Sequence, residues 1–296
     1  TRAALGRGDC QRSRQTRTAT PHTMSHDEPD PVADEAAHVT RVPLPVESSA
    51  PSGTTSAHLV DGLLVDPAAQ TDALDEAVAT AAADDSPVTA IAVTHTHSDH
   101  VGAVAAYASR TGATVYAHAN HVDRFREATG VAPDETIADG DTVGSTDVRV
   151  WATPGHAPDH LAFVTDGPDQ TVGIVGDLVV AEGSVAVAAP DGDLAAYLDS
   201  LDRIRDSGVD RLYPAHGPVV DDPAVTCRRL AEHRLDRERR VLRAVDAGAS
   251  DVDAVLDAAY DRDLSGVADL ARGTVRAHPA KLVAEGRVAT SWTAGD

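Results

Sequence analysis

Residues 94–102 read Thr-His-Thr-His-Ser-Asp-His-Val-Gly, which places four potential metal ligands within six positions. In an extended segment, residues two apart point the same way, so His95 and His97 can bind one metal ion together. After the turn that follows, Asp99 and His100 can face a second position beside the first. Imidazole and carboxylate groups bind zinc at about 2.0–2.2 Å. A solvent-exposed polar turn would not explain four ligands at a strand-to-helix junction, and we predict a metal site.

Three further candidate ligands, His156, Asp177 and His216, each lie in a loop after a predicted strand and next to a glycine. Glycine permits tight turns that aim one side chain inward. Each residue alone could be an ordinary turn residue. Because all three occur in such loops, we predict that they complete the metal site begun by the first cluster.

Three other histidines lie near these candidates in the sequence. His160 is a candidate for orienting a metal ligand through a hydrogen bond. For His160, and equally for His118 and His121, an ordinary surface or core position is the alternative.

Strands and helices alternate between residues 57 and 213, which predicts an α/β fold in which helices cover sheets. The dipeptide Asp61-Gly62 between two apolar runs predicts a β-hairpin. The predicted strands are Ala57–Val60, Leu63–Asp66, Val88–Val93, Thr114–Ala117, Val148–Ala152, Leu161–Thr165, Val172–Val175 and Arg211–Tyr213, and the predicted helices are Thr71–Ala83, Val101–Arg110 and Leu194–Ser207.

The two ends of the chain have a different pattern. Residues 25–53 are rich in Pro, Asp and Ser, and we expect residues 1–54 to form a loose or disordered segment in which Met24 is the true start. A main domain is predicted for residues 55–223. Residues 224–296 follow as a compact domain, for which a winged helix is one interpretation. Its predicted elements are helices Ala224–Ala247, Val252–Tyr260 and Gly266–Glu285 and a strand Arg287–Trp292.

The chain of 296 residues is strongly acidic, with 47 acidic against 25 basic residues and a net charge of −22. Lys281 is the only lysine. This composition favours a halophilic protein that stays hydrated in concentrated salt over an ordinary acidic protein from a GC-rich genome. At molar salt the Debye length is about 3 Å, so the net charge says little about partners.

Cysteine content and hydropathy exclude other classes of site. Cys10 and Cys227 are the only cysteines and are far apart, which gives neither a disulfide framework nor a cysteine-based zinc site. No segment approaches the roughly 20 apolar residues of a membrane span. We therefore expect a cytoplasmic protein that does not bind a membrane, with a homodimer possible.

The seven candidate ligands resemble the metallo-β-lactamase superfamily, whose motif is His-x-His-x-Asp-His followed by separate His, Asp and His ligands. The resemblance covers roughly residues 55 to 220, fills all seven positions and implies an αββα sandwich with two zinc ions per chain, although iron or manganese would also suit such ligands. Asp177 stands where β-lactam-cleaving members commonly have Cys, which favours the thioesterase, lactonase and nuclease branches. By the family pattern, one zinc takes His95, His97 and His156, the other takes Asp99, His100 and His216, and Asp177 bridges them.

The implied reaction is hydrolysis by a hydroxide shared between the two metal ions, since paired ions about 3.5–4 Å apart lower the pKa of a bound water. In this hypothesis Asp99 is also catalytic, because it orients the hydroxide and can accept its proton. The metal ions would stabilise the developing oxyanion.

The C-terminal sequence has a second resemblance. Glu232-His233-Arg234 with Arg237-Glu238, Tyr260, and His278-x-x-Lys281-Leu282-x-x-Glu285-Gly286-x-Val288 are similar to the winged-helix tail of the β-lactamase-like protein 2 group. That group includes single-strand-specific endoribonucleases.

Three functions follow as hypotheses. The first is hydrolysis of a small ester, thioester or lactone. The second is cleavage of single-stranded RNA, with local positive charge from Arg228, Arg229, Arg234, Arg237, Arg239 and Arg240, although the interleaved acids of a solvated helix explain this pattern equally. The third is a nucleic-acid-binding regulator whose hydrolase domain is not catalytic. The complete ligand set argues against the third.

Overall fold

The hairpin predicted at Asp61-Gly62 is present and belongs to the sheet that carries the motif. The computed structural model describes residues 1, 32–34, 38–48, 53–249, 251–259 and 268–287. In it, β3 (Thr54–Val60) and β4 (Leu63–Val65) pair in antiparallel fashion. Asp61 and Gly62 adopt φ angles of 48° and 81°. Two consecutive positive φ angles are what a two-residue hairpin turn requires.

Seven strands form the first sheet, in the order β1-β2-β3-β4-β5-β6-β7. The first three pairs of neighbours are antiparallel, whereas β4/β5, β5/β6 and β6/β7 are parallel. Parallel neighbours end at the same edge of a sheet, so the loops after β4, β5 and β6 lie side by side. The other strands are β1 (Val32–Asp34), β2 (Val39–Pro45), β5 (Ala90–Ala92), β6 (Thr114–His118) and β7 (Glu135–Ile137).

Four strands form the second sheet, in the order β11-β10-β9-β8. Its strands are β8 (Arg149–Ala152), β9 (Leu161–Asp166), β10 (Thr171–Gly176) and β11 (Arg211–Pro214). The pair β10/β11 is parallel, and β9 is antiparallel to both of its neighbours. The strands predicted in this region are therefore present with small changes of boundary.

The two sheets pack face to face and helices cover their outer faces. Leu63, Val65, Phe163 and Ile174 belong to the apolar cluster between the sheets. A second cluster joins the first sheet to α1 (Asp72–Ala83), α3 (Val104–Thr111) and α4 (Val122–Thr129). A third joins the second sheet to α5 (Leu194–Arg205) and the start of α6 (Pro223–Asp246). The result is the predicted four-layer αββα sandwich.

One predicted helix, Val101–Arg110, is divided in the structure. A short helix α2 (Ser98–Val101) ends at Gly102, and α3 begins at Val104. At Gly102 an added Cβ would lie 2.4 Å from the backbone oxygen of Ala68. The amide of Ala103 donates to the carbonyl oxygen of Pro67, over 2.9 Å. The loop after β4 therefore occupies the space that a continuous helix would need.

The N-terminal part also differs from expectation. The segment predicted to be loose contains β2, whose seven residues pair with all of β3. Val42 and Leu44 are fully buried on that strand. Its two prolines, Pro43 and Pro45, disfavoured a strand in the sequence. Cys10, Met24 and the other residues of the predicted N-terminal segment before 32 lie outside the described residues, apart from residue 1.

Three helices follow the sandwich, as predicted: α6, α7 (Val252–Ala259) and α8 (Ala268–Ala284). Early residues of α6, such as Cys227 and Leu230, belong to the core under the second sheet. Later residues of α6, such as Val241, form a separate apolar cluster with α7 and α8. The strand predicted at Arg287–Trp292 lies outside the described residues beyond Arg287, and the domain boundaries remain predictions. Among the described residues, no helix is long and apolar enough to cross a membrane.

Buried charges tie α8 to α6. Lys281 Nζ lies 2.9 Å from Glu238 Oε2 and 2.6 Å from Glu285 Oε1, and Glu238 is only 3% exposed. His278 is also buried. Burial, together with the charges of Arg234, Arg237 and Lys281, lowers the pKa of His278 to about 3. These residues of α8 are therefore part of the interior.

The buried His278 predicts acid sensitivity. Its pKa is lower in the folded state than the usual 6.5, so the unfolded chain binds a proton first as the pH falls. Its contribution to stability is complete above pH 6.5 and is lost as the pH falls towards 3, at up to about 1.4 kcal/mol per pH unit. We expect His278→Gln to flatten the fall in unfolding free energy between pH 6.5 and 5, measured by urea denaturation. The exposed His38→Gln is the control, and an equal slope for both variants would contradict the assignment.

Candidate metal centre

The ends of four strands bring the predicted ligands to one edge of the sandwich. His95 and His97 follow β5, and Asp99 and His100 lie on α2. The remaining three, His156, Asp177 and His216, lie in the loops after β8, β10 and β11. All seven sequence-predicted residues are thus brought together by the fold.

One group consists of three imidazoles. His97 Nδ1 lies 2.9 Å from His95 Nε2 and 3.0 Å from His156 Nε2. These three residues form one of the sets whose ligand atoms lie within 4.8 Å of one another. Tetrahedral zinc with nitrogen ligands at about 2.0–2.1 Å separates those nitrogens by roughly 3.3 Å. A shift of a few tenths of an ångström would therefore accommodate such an ion.

A second group contains Asp99, His100 and His216, and Asp177 lies between the two groups. Asp177 Oδ1 is 3.3 Å from His216 Nε2 and 3.7 Å from His100 Nε2. Its other oxygen, Oδ2, is 3.6 Å from His156 Nε2 in the first group. Each carboxylate oxygen of Asp177 thus faces a different group, as a bridging ligand would.

Unpartnered buried atoms support the fit to metal ions. His100 Nε2 and Asp177 Oδ1 are buried and have no hydrogen-bond partner. Buried polar atoms are rarely left without one, so such a pair indicates a missing partner. A nitrogen lone pair and a carboxylate oxygen that face each other over 3.7 Å are the donors that zinc and similar divalent ions take. The residues present therefore fit metal ions in this cluster.

The tautomer of each histidine follows from the hydrogen bond made by the ring nitrogen that does not face the cluster. Asp66, fully buried at the end of β4, accepts from Thr94 N over 2.6 Å, from Thr94 Oγ1 over 2.7 Å and from His100 Nδ1 over 3.0 Å. Thr94 Oγ1 lies 3.1 Å from His95 Nδ1, which donates to it because this hydroxyl gives its own hydrogen to Asp66. The Nε2 atoms of both histidines are therefore free of hydrogen and available to a metal ion.

Two more histidines are held by backbone carbonyl groups. His156 Nδ1 donates to Ala186 O over 2.7 Å, and His216 Nδ1 donates to Thr54 O over 2.8 Å. A carbonyl oxygen only accepts, so each Nδ1 carries the hydrogen. In both rings Nε2 is then the atom that faces the cluster.

The electrostatics of the cluster keep two of its ligands, His95 and Asp177, in the forms that metal ions need. Burial lowers the pKa of His95 well below its usual value, and the neighbouring imidazoles add to this effect. Burial alone would raise the pKa of Asp177, but the close contact with His216 and the charges of His100 and His156 outweigh it and lower that pKa. A neutral imidazole and an ionised carboxylate are the ligating species.

Sequence analysis missed three residues that contact the ligands, Ser48, Asp66 and Asp191, and a fourth, Arg124, that binds Asp191. Ser48 Oγ donates to Asp99 Oδ2 over 2.6 Å. His97 Nε2 donates to Asp191 Oδ2 over 3.1 Å, and Arg124 donates to both oxygens of Asp191. Asp66 alone had a local signal, because it directly follows an apolar strand. The other three reach the site from segments distant in the sequence.

The remaining histidines are not among the ligand groups. His160 is fully buried, its Nδ1 lies 2.8 Å from Thr153 Oγ1, and its ring stacks on that of His95 at 5.3 Å between centroids. It packs against a candidate ligand but makes no hydrogen bond to one. The rings of His118 and His121 contact each other, with 4.8 Å between their centroids, and neither residue belongs to a ligand group.

Gly176 determines how closely Asp177 can approach the motif. Its φ angle is 44°, and an added Cβ would lie 2.4 Å from Thr94 Oγ1 and 2.9 Å from His160 Nε2. Only glycine fits there without displacing Thr94. The glycine noted beside Asp177 in the sequence therefore allows close approach between the two sheets.

Comparison with known proteins gives a consistent picture. The family model described as the metallo-β-lactamase superfamily matches residues 52–216. A β-lactamase-like protein 2 homolog from Caenorhabditis elegans is 30% identical over 161 residues, covering 52% of this chain and 51% of that protein. A homolog of the same name from Drosophila melanogaster is 29% identical over 220 residues, covering 70% and 72%.

A fungal relative has a different name. The atrochrysone carboxyl ACP thioesterase of Aspergillus chevalieri is 32% identical over 177 residues, covering 58% of this chain and 52% of that protein. The chain thus spans about half the length of the nematode and fungal relatives.

Two solved structures share the fold over most of the chain. A metallo-β-lactamase family protein from Thermus thermophilus superposes with a TM-score of 0.65 at 25% identity, covering 85% of this chain and 95% of that one. A β-lactamase domain protein from Burkholderia ambifaria gives 0.68 at 20% identity, covering 90% and 92%. Coverage of this extent includes part of the C-terminal helices.

Removal of metal should lower the thermal stability of the protein. An ion that binds only the folded state stabilises it by about 2.7 kcal/mol at a concentration of 100 times its Kd. We expect a chelator to lower Tm by several degrees and added zinc to restore it, measured by calorimetry.

Two variants sharpen this measurement. Asp177→Ala should respond much less to zinc, whereas Asp169→Ala, an exposed aspartate just before β10, should respond as the parent does. An equal Tm for the parent with and without chelator would argue against a bound ion.

Proposed function

The chain belongs to the metallo-β-lactamase superfamily, whose members are generally metal-dependent hydrolases, and we propose that it hydrolyses a small ester, thioester or lactone at a centre of two zinc ions. The observation that carries the proposal is the pair of ligand groups that meet at Asp177. Zinc is proposed because such histidine and carboxylate sets suit it, with iron and manganese as the alternatives.

Seven residues would hold the metal ions. His95, His97 and His156 form one site, and Asp99, His100 and His216 form the other, with Asp177 shared. When bound, paired divalent ions supply a nucleophilic water at neutral pH and polarise the carbonyl oxygen of the substrate. The chain needs no serine or cysteine nucleophile for this chemistry, and Cys227 lies in the core under the second sheet.

Asp99 is proposed as the catalytic carboxylate. Its Oδ2 accepts from Ser48 Oγ over 2.6 Å and lies 3.6 Å from His216 Nε2, while its Oδ1 lies 3.9 Å from His100 Nε2. The Ser48 hydrogen bond fixes the carboxylate plane. Oδ1, which has no contact with Ser48, is then the atom placed to take a proton from the attacking water.

Contacts of the C-terminal helices favour a small substrate over RNA. His278 is buried, and Lys281 is paired with Glu238 and Glu285, so these two residues of the stretch that resembles a recognition helix are not presented to a ligand. Arg229 donates to the carbonyl oxygens of Val180, Ala181 and Gly183.

Two more arginines of α6 and one relative point the same way. Arg234 is buried and donates to Val185 O, and Arg239 is paired with Asp236. A phosphodiester backbone needs accessible positive charge, which these contacts reduce. One relative is named as an acyl carrier protein thioesterase, and a thioester is within the proposed substrate class.

A substrate panel tests the proposal. The parent protein, loaded with zinc in high salt, is assayed on an aryl ester, an acyl thioester and a lactone. We expect hydrolysis of at least one class. For Asp177→Ala we expect kcat/KM to fall by more than about 100-fold, because losing a metal ligand should cost more than the 10–100-fold effect of losing a residue that only supports a ligand. Asp169→Ala should keep the parent rate. Equal rates for Asp177→Ala and the parent would contradict the proposed site.

A labelled single-stranded RNA, assayed with the same proteins, separates the alternatives. Cleavage that Asp177→Ala abolishes, without turnover of the acyl panel, would place the activity with phosphodiester hydrolysis instead. Nucleic acid binding without hydrolysis of any substrate by the zinc-loaded protein would favour the regulator.

A further inference from the structure

Arg124, on α4, joins three segments that surround the first ligand group. Its Nε donates to Thr96 Oγ1 over 2.8 Å, and Thr96 lies between His95 and His97 in the motif. The same Nε lies 3.4 Å from Asp159 Oδ1, in the loop that also carries His156. Thr96 Oγ1 in turn donates to Asp159 Oδ2 over 2.6 Å. One guanidinium group therefore cross-links the motif to the loop after β8.

The end of the guanidinium reaches a third segment. Arg124 Nη1 and Nη2 donate to the two oxygens of Asp191, at 3.1 Å and 2.5 Å. Oδ2 of Asp191 also accepts from His97 Nε2 over 3.1 Å. The planar fork of an arginine matches a carboxylate in this two-point arrangement, which fixes the plane of the carboxylate. That plane determines where His97 Nε2 finds its acceptor.

Asp191 belongs to a connecting loop, residues 178–193, that is held from its other side by the C-terminal helices. Arg229 and Arg234 on α6 donate to backbone carbonyl groups of this loop. On α8, Gly273 O accepts from Ala189 N over 3.0 Å. The loop also provides the carbonyl oxygen of Ala186 that holds His156. In two of the three histidines of the first group, His97 and His156, the ring nitrogen that faces away from the cluster therefore donates to an acceptor in this loop.

Arg124 and Asp191 are themselves partly exposed, at 32% and 29% of their side chains, beside the exposed edge of His97. Two carboxylates already surround this guanidinium, so its charge is compensated before any anion arrives. A role in holding neighbouring groups explains these contacts better than a role in binding an anionic substrate.

We propose that Asp191 and Arg124 are positioning residues for His97: Asp191 accepts the Nε2 hydrogen and Arg124 fixes Asp191, so that Nδ1 points at the metal ion. This inference rests on the proposed metal centre. A carboxylate on the far nitrogen of a ligating imidazole fixes its tautomer and makes the nitrogen that faces the metal a stronger donor. The pair therefore sets metal affinity at the first group, and neither residue contacts the metal ion.

Cobalt(II) provides a direct probe of the first group, because its visible absorption depends on the ligands and their geometry. The full-length protein is stripped of metal and titrated with cobalt(II) in competition with a chelator. The variants are Asp191→Asn, which keeps the shape of the side chain but removes its charge, and Arg124→Gln, which removes the fork. Matched controls are Glu182→Gln, an exposed acid in the same loop, and Arg126→Gln, two residues along α4 and paired only at the surface with Asp123.

We expect Asp191→Asn and Arg124→Gln to bind cobalt(II) about 10–100-fold more weakly at one of the two sites, as a lost partner of a ligand predicts. Their visible spectra should change as well, while both controls keep the affinity and spectrum of the parent. Arg124→Lys, which cannot bind Asp191 at two points, should resemble Arg124→Gln. Circular dichroism of each metal-free variant checks that the fold is retained.

The outcomes separate the two proposals. If the parent binds two cobalt ions and both variants match its affinity and spectrum within twofold, the positioning role is wrong and the metal centre stands. If the parent binds no cobalt(II), the metal centre itself is wrong, and the positioning role falls with it.

Discussion

A single buried carboxylate, that of Asp66, is the constraint on which the site depends. An ionised carboxylate without partners is costly in a protein interior, so it must be surrounded by donors. Here the backbone and hydroxyl of Thr94 and the imidazole of His100 supply three hydrogen bonds. These bonds fix the end of β4 to the first residue of the motif. Because Thr94 also receives the hydrogen of His95, one carboxylate sets the ring orientation of two candidate ligands.

The same physical requirement recurs around the rest of the cluster with different acceptors. His156 uses a loop carbonyl oxygen, His216 uses the carbonyl oxygen of Thr54 at the start of β3, and His97 uses Asp191. Each acceptor comes from a segment that is distant in sequence from the histidine it holds. The sheet order explains how this is achieved, since the parallel pairs β4/β5 and β10/β11 release their loops at one edge. In each of these histidines, the ring nitrogen that carries the hydrogen thus points away from the cluster.

The sequence predicted what is local and left out what is distant. Four ligands in six residues, and three glycine-flanked loops after strands, were enough to identify the seven residues that the fold brings together. The acceptor Asp191 and the donor Arg124 that holds it could not be found in this way, because their contacts join residues 94 and 67 positions apart. Local signals also failed for α4, whose only buried residue is Phe125, and for the short β7, where two of three residues are exposed. In β2 the two prolines obscured a strand that tertiary pairing stabilises.

The contacts of the C-terminal helices show that these helices are packed against the sandwich. The sequence alone presented them as an appended module with basic residues available to a partner. In the structure, the first part of α6 shares the core of the sandwich, and its later part shares a second core with α7 and α8. One continuous helix of 24 residues therefore connects the second core to the first. Since α6 and α8 also bind the backbone of the loop that holds His97 and His156, their packing is coupled to the geometry of the metal centre.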